Sequence, residues 1–413
     1  MQFSTVLTLL GFTAIGLVQA QGPYDAPCGS YKTCLDICPN ADFFPLIDQC
    51  EIGDSGEPDC YVNFYCKSDS QVRFSLSQCT PDYLSQYHPG HTSWKQNGNQ
   101  NSRHLRRKSS PSTLDATLTA QASGNFGAPI TAALQQAGLK ITIITRPEST
   151  STFPPGIPVI RTSYTLDDLT PALQGHDAVV CVVGPRGIGA QATMVDAAKA
   201  AGVKRFIIND FGWGPDFKGM PEFDEIHAHR KAGWDHAAAT AEQNRSFTWT
   251  GITSGNPIDW AMRKFPLMGF DISTCSAVIY DDGTEEFTGT TLDGIGQAVV
   301  GVLQHPEETA NRFVKVRSIK TCQRALLDAF QSVTGKEWDV RRATTQDLIE
   351  SGRRKHQEGV GGWVLDLVVA QLFEPGKARC VVAASREESD AGLLGMVEES
   401  PEVVIRKALM GDA

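Results

Sequence analysis

Positive charge is what this sequence is short of: 37 Lys and Arg stand against 47 Asp and Glu in 413 residues, a formal net charge of −10. Nucleic-acid affinity is dominated by cations meeting phosphates, so a general polyanion-binding role is excluded and no nucleic-acid partner is expected. The apolar run Val6–Val18 is interrupted by Thr and Gly and falls short of the roughly 20 residues that a bilayer requires, so no membrane span is expected. Cysteine is scarce over most of the chain: seven of the eleven lie between Cys28 and Cys79, and only Cys181, Cys275, Cys322 and Cys380 follow. What is present, 41% hydrophobic and 20% charged residues, is a soluble globular composition rather than a disordered or collagen-like one. Single cores stop growing near about 250–300 residues, so this length implies more than one domain.

The front of the chain has a secretory character. Val18-Gln19-Ala20 after the apolar run is a small-residue cleavage pattern, so residues 1–20 are expected to be a signal peptide. Residues 21–80 carry Cys28, Cys34, Cys38, Cys50, Cys60, Cys66 and Cys79 in a segment too short for a large core, which predicts a disulfide module. Its odd count leaves at least one thiol unpaired or intermolecular. From Tyr83 to Leu114 there is no acidic residue, while Lys95, Arg103, Arg106, Arg107 and Lys108 stand among polar ones, so residues 81–115 are expected to be a basic, disordered linker.

Beyond residue 115 short β-branched runs alternate with Ala-rich stretches, the pattern of βαβ units on a parallel sheet. Ala116–Ala120 is the expected first strand, and Ile141–Thr145, Val159–Ile160, Ala178–Val183 and Arg205–Ile208 are the expected buried strands. Ala128–Ala137, Leu166–Gln174 and Ala190–Ala201 are the expected helices, with Gly138, Gly175 and Gly202 as stops. The fold class is therefore α/β: a Rossmann-type doubly wound parallel sheet over residues 116–255, followed by a smaller α/β substrate-binding subdomain, 256–413, with sheet-completing segments. The first crossover carries Gln121-Ala-Ser123-Gly124-Asn125-Phe126-Gly127, which matches the last two glycines of a phosphate-binding turn and replaces the first with Gln121. Ser123 to Gly127 are the expected pyrophosphate turn, and Gly184, directly after the buried fourth strand, joins the cofactor-binding set. Strand two ends at Arg146, where an NAD-selecting fold places an acid; a guanidinium there suits the 2′-phosphate of NADP(H).

Ala122-Ser-Gly-Asn-Phe-Gly-Ala128, Thr145-Arg-Pro-Glu-Ser149, Val203-Lys-Arg-Phe-Ile207, Asn209-Asp-Phe-Gly212, Thr248-Trp-Thr-Gly251, Phe287–Gly296 and His305–Asn311 together resemble fungal NmrA-like proteins of the isoflavone reductase and phenylcoumaran benzylic ether reductase group. The resemblance covers roughly residues 116–410 and none of the Cys-rich front. It implies an atypical short-chain-reductase Rossmann domain with a smaller substrate domain, NADPH as reductant, and a helical lysine as acid/base. Lys231 best matches that lysine. A lysine's ordinary pKa of about 10.4 is too high for a general base near neutrality unless desolvation or a cation lowers it. His227, four residues earlier and on the same helical face, is a candidate relay. Phe211, Trp213, Asn256 and Trp260 follow strand ends and are the candidate substrate wall.

The expected activity is NADPH-dependent reduction of a small conjugated or aromatic molecule. Two other readings stand beside it: a non-catalytic NADP-sensing regulator, suggested by Gln121, and a secreted Cys-rich binding module as the functional half. A weak first strand, a missing glycine and an odd cysteine count all fall near residues 80–125, which suggests two joined or misjoined reading frames. The protein is expected to be secreted if the signal peptide belongs to it, and cytoplasmic if the front is a fusion artefact.

Overall fold

In this computed structural model the described residues are 46–52, 58–65, 71–75, 116–120 and 122–410, the first four segments as backbone only. The signal peptide, the linker, the disulfides of the Cys-rich segment and Gln121 therefore lie outside the described residues or side chains. The front segments are three strands, β1 (Leu46–Ile52), β2 (Pro58–Tyr65) and β3 (Gln71–Ser75), in an antiparallel sheet of order β1-β2-β3. Its register sets Cys50 opposite Cys60.

From residue 116 the expected alternation appears: β4 (Ala116–Ala120), α1 (Gly127–Gln136), β5 (Lys140–Thr145), β6 (Val159–Arg161), α2 (Leu166–Leu173), β7 (Ala178–Cys181), α3 (Gln191–Ala200), β8 (Arg205–Ile207), α4 (Asp224–Gln243) and β9 (Thr248–Thr253). With a late strand, β14 (Arg312–Lys315), they form one seven-stranded sheet of order β14-β9-β8-β7-β4-β5-β6, and every pairing is parallel. Chain order reverses between β4 and β7, which makes the carboxyl ends of those strands the switch point where open α/β sheets bind ligands.

Burial on both faces explains the continuous apolar run of β7. Ala178 and Val180 pack with Ile130 and Leu134 of α1, while Val179 and Cys181 pack with Leu169, Val195, Phe206 and Trp234 on the opposite face. Gly138, Gly175 and Gly202 take φ of +76°, +78° and +80°, the left-handed turn that ends a helix at little cost only for glycine.

The second lobe contains β10 (Asn256–Pro257), α5 (Ile258–Met262), β11 (Phe270–Asp271), β12 (Ser276–Tyr280), β13 (Glu286–Thr290), α6 (Leu292–Gln304), β15 (Ile319–Cys322), α7 (Gln323–Thr334), β16 (Asp339–Ala343), α8 (Thr345–Gln357), α9 (Trp363–Phe373) and α10 (Pro401–Met410). Two three-stranded sheets, β10-β13-β15 and β11-β12-β16, enclose an aromatic core of Phe270, Phe287, Phe330, Trp338 and Phe373. The lobes interleave: α6 returns to cover α1, and β14 completes the first sheet. Among the described residues no helix is long and apolar enough to cross a membrane.

Candidate active site

At the switch point the turn after β4 runs from buried Ala122 through exposed Ser123, Gly124 and Asn125 into α1. Ala128 N–H closes the turn on Gly124 O at 3.0 Å, and no side chain caps the helix start. That end is open to an anion, with the helix dipole favouring negative charge. Gly184, also exposed, begins a 3₁₀ turn, Pro185–Ala190, at the end of β7. Asn209 ties β8 to this edge: its Nδ2 donates to Val183 O at 2.8 Å, and its backbone N–H donates to Gln191 Oε1 at 2.6 Å. Arg146 stands past the end of β5 with its side chain half exposed, 3.2 Å from Glu148. Arg161, opposite Thr145 in the register, donates to the Ser149 carbonyl and holds the same loop. These groups fit an NADP(H) molecule: an open helix start for the pyrophosphate, a close-approach glycine, and a solvent-facing guanidinium held only by an exposed carboxylate of small net attraction.

The aromatic residues separate into two groups. Phe211 is buried at φ +43° and stacks on Phe126 of the glycine turn, with centroids 6.1 Å apart and planes at 20°. A non-glycine residue at positive φ is strained, and such strain collects at functional sites. Trp213 stacks on Phe217 at 5.4 Å and 15° and lies against Gly255. Asn256 is buried in β10, its Nδ2 directed at Met268 Sδ at 2.9 Å, and Trp260 is half-buried where two cores meet, with the Lys264 amine 5.9 Å from its ring. The structure thus brings Phe211 and Trp213 to the turn after β8, and sets Asn256 in β10 and Trp260 in α5, beyond Gly255, whose N–H bonds to Gly212 O in that turn.

On α4, Lys231 is exposed and donates to both Asp235 oxygens, at 2.6 and 2.7 Å. His227 is half-buried and meets Trp234 edge-on at 5.5 Å. Arg230, one position before Lys231, turns inward instead.

Arg230 faces a group absent from the sequence reading, Asp210. That carboxyl is 8% exposed and lies in the turn after β8. Burial pushes its pKa up to about 7, opposed by Arg230, the Thr253 hydroxyl and the Gly214 N–H. None of the three closes a hydrogen bond or ion pair of normal geometry: both Asp210 oxygens, Arg230 Nε and Thr253 Oγ1 are buried without partners. The only signal in the sequence was that Asp210 stands inside Asn209-Asp-Phe-Gly212.

Elsewhere, a depression of about 520 Å³ lies between β12, β16 and α8, lined by Asp281, Asp282, Arg342, Ala343, Thr344 and Asp347. Two of its three carboxylates are engaged, Asp281 by Thr345 and Asp347 by Thr344, and it is not at the carboxyl ends of the seven-stranded sheet. Among the described residues no His, Cys, Asp and Glu group could hold a metal, and Cys181, Cys275, Cys322 and Cys380 are free thiols. Burial pushes the Cys181 thiol up to about 12.

The NAD(P)H-binding family model matches residues 122–306. The chain is 67% identical to the oxidoreductase poxI of Penicillium oxalicum over 302 residues, which are 73% of this chain and 96% of the relative. It is 32% identical to the oxidoreductase aprR of Aspergillus flavus over 226 residues, 53% of this chain and 74% of that one. Among solved structures, AtPrR2 with NADP+ and (+)pinoresinol superposes with a TM-score of 0.58 at 18% identity, covering 71% of this chain and 98% of that one.

Proposed function

Because the chain belongs to the NmrA-like, isoflavone reductase-like family of NAD(P)H-dependent oxidoreductases, we propose that it reduces a small conjugated or aromatic molecule with NADPH, in the crevice between the glycine turn and the turn after β8. The observation that carries this reading is the strained Phe211, stacked on Phe126 beside the cofactor turn, with the Trp213–Phe217 pair a few residues further on. Buried Phe211 fixes the turn, and the half-buried Trp213–Phe217 stack beyond it suits a flat ligand.

Ser123 to Gly127 would cradle the pyrophosphate, Gly184 would admit the cofactor at the end of β7, and Arg146 would exchange Glu148 for the 2′-phosphate. NADPH supplies a hydride when bound. This chain's part is to orient the substrate, exclude water and manage one proton. Lys231 is the proposed proton carrier, with His227 one turn before it. Its i,i+4 pair with Asp235 is exposed and worth only about 0.3–0.5 kcal/mol, so a substrate oxygen can displace it.

The test is NADPH oxidation followed at its absorption band with a panel of enones, quinones and benzylic ethers. At least one compound should be reduced, and Lys231→Ala should lower kcat by roughly 10²–10⁴, the usual contribution of a proton-transfer group. A second reading, an NADP-sensing regulator, draws on the outward Lys231–Asp235 pair. It predicts tight NADPH binding, no turnover of any panel member, and no effect of Lys231→Ala.

A further inference from the structure

We propose that Arg230, which faces Asp210 without pairing with it, is the cation that receives the oxygen of the substrate on which negative charge develops. The inference rests on the reductase reading for where the substrate lies, and three observations lead to it.

The first is unsatisfied chemistry. Buried polar groups almost always find partners, and an unpaired one costs about 1–3 kcal/mol. Yet Arg230 Nε is buried without one, and the Asp210 oxygens have the Thr253 hydroxyl and the Gly214 N–H beside them but no bond of ordinary geometry, all at the carboxyl ends of β8 and β9. Such a cluster is expected where a polar ligand completes the set.

The second is the space between the charges. A Cβ on Gly212 would lie 3.2 Å from Arg230 Nη1 and 3.5 Å from Asp210 Oδ1, yet the two side chains do not close into an ion pair. Gly212 lets the backbone pass beside both side chains, where a Cβ would crowd the guanidinium. A ligand oxygen placed there can accept from the guanidinium.

The third is backbone strain. Phe211 takes a φ of +43° at this turn, Gly214 and Gly255 reach positive φ without strain on either side of it, and Gly255 N–H is bonded to Gly212 O at 2.8 Å. The turn is fixed by its surroundings rather than by its own preference.

Hydride addition to the conjugated carbon forms a C–H bond there and moves the π pair onto the substrate oxygen, as NADPH is oxidised to NADP+. The resulting oxyanion meets Arg230, and a proton then neutralises it. A fixed cation aimed at developing charge in a water-poor site is among the largest catalytic contributions available. Asp210 is a positioning residue that acts through Arg230. Among the described residues, Arg230 from α4 is the only charged group facing it, with Thr253 from β9 and the Gly214 N–H completing its surroundings. While its carboxyl is protonated, the guanidinium's charge is free for the ligand; once ionised, it competes.

The probe is 2,4-dinitrophenolate, an aromatic oxyanion whose charge does not change across the test range. Its binding to the full chain loaded with NADP+ is read from its visible band. Binding should weaken several-fold as pH rises from about 6 to about 9, through the titration of Asp210. Arg230→Gln should weaken it about tenfold or more, with Arg230→Lys intermediate, because a charge-assisted hydrogen bond is lost. Asp210→Asn should flatten the pH dependence. NADP+ affinity, measured alongside, should change in none of them and reports that each variant is folded. No binding by the parent chain, or binding indifferent to Arg230→Gln, overturns the inference even if the enzyme reduces its panel. Binding that depends on Arg230 in a chain that reduces nothing sustains it while the reductase reading fails.

Discussion

A buried carboxyl without an ion pair makes stability depend on pH in a direction opposite to most aspartates. Asp210 has a folded pKa of about 7, above the roughly 3.9 of an unfolded aspartate. The folded state therefore holds the extra proton between those values. The resulting stabilisation is complete below about pH 4 and is lost as pH rises through about 7, with a slope of up to about 1.4 kcal/mol per pH unit. Asp210→Asn removes that proton from the balance. Urea midpoints at about pH 5 and about pH 8 should differ less in the variant than in the parent, and an unchanged difference would refute the assignment. At this scale the sequence was partly legible: the glycine turn and Arg146 stand where their spacing put them. The Asp210–Arg230 facing was not legible, because nothing along Asp224-Glu-Ile-His-Ala-His-Arg-Lys231 forms an apolar stripe to fix which side of α4 turns inward. The side is set by Gly233, where a Cβ would lie 2.2 Å from Gln191 Nε2, so the helix rides close against the start of α3.

Elements were the most readable level, since strand and helix periods and glycine stops are local properties. β4 has the bounds expected, and α1, α2 and α3 start or end within a residue of the expected ones. Arg205 shows the limit. It stands in a strand expected to be buried and is only 2% exposed, with its guanidinium donating to Thr250, Thr309 and the Pro306 carbonyl. The partners lie up to 104 residues away, beyond any local pattern. The return of α6 to the first sheet was equally hidden, and it depends on small residues at its contacts: at Gly296 a Cβ would lie 2.7 Å from Ala133 Cβ and 2.9 Å from Pro129 O of α1. At Gly301 a Cβ would lie 2.6 Å from Leu394 O and 2.8 Å from Leu394 Cα, backbone atoms that cannot swing aside. Gly301→Ala should therefore destabilise the protein by about 1–3 kcal/mol, although alanine is the better helix former by roughly 1 kcal/mol. An unchanged or raised Tm would show that the 390–396 segment yields there.

For the whole molecule, the cysteine asymmetry and the relatives bear on the same division. The 302-residue match takes in 96% of poxI and only 73% of this chain. The sheet from β4 onward and the hydrophobic cores described are built from residues after 115, and the front strands form a separate compact unit. We propose that the reductase is carried by residues 112–413, and that the front entered by fusion of two reading frames, in the genome or in its interpretation. The fragment should bind NADPH within about twofold of the full chain, since no new contact with the cofactor is expected from the front and a twofold change is only about 0.4 kcal/mol. A fragment that fails to fold, or binds ten times more weakly, would show that the front contributes to the Rossmann core. Sequencing the transcript across codons 80–125 separates the two origins. A continuous, translated message makes the Cys-rich segment a working part of the protein and directs attention to the compartment its seven thiols require, because disulfides persist only where the surroundings are oxidising. A spliced or interrupted message leaves a reductase whose four remaining thiols, free in the structure, are suited to a reducing one.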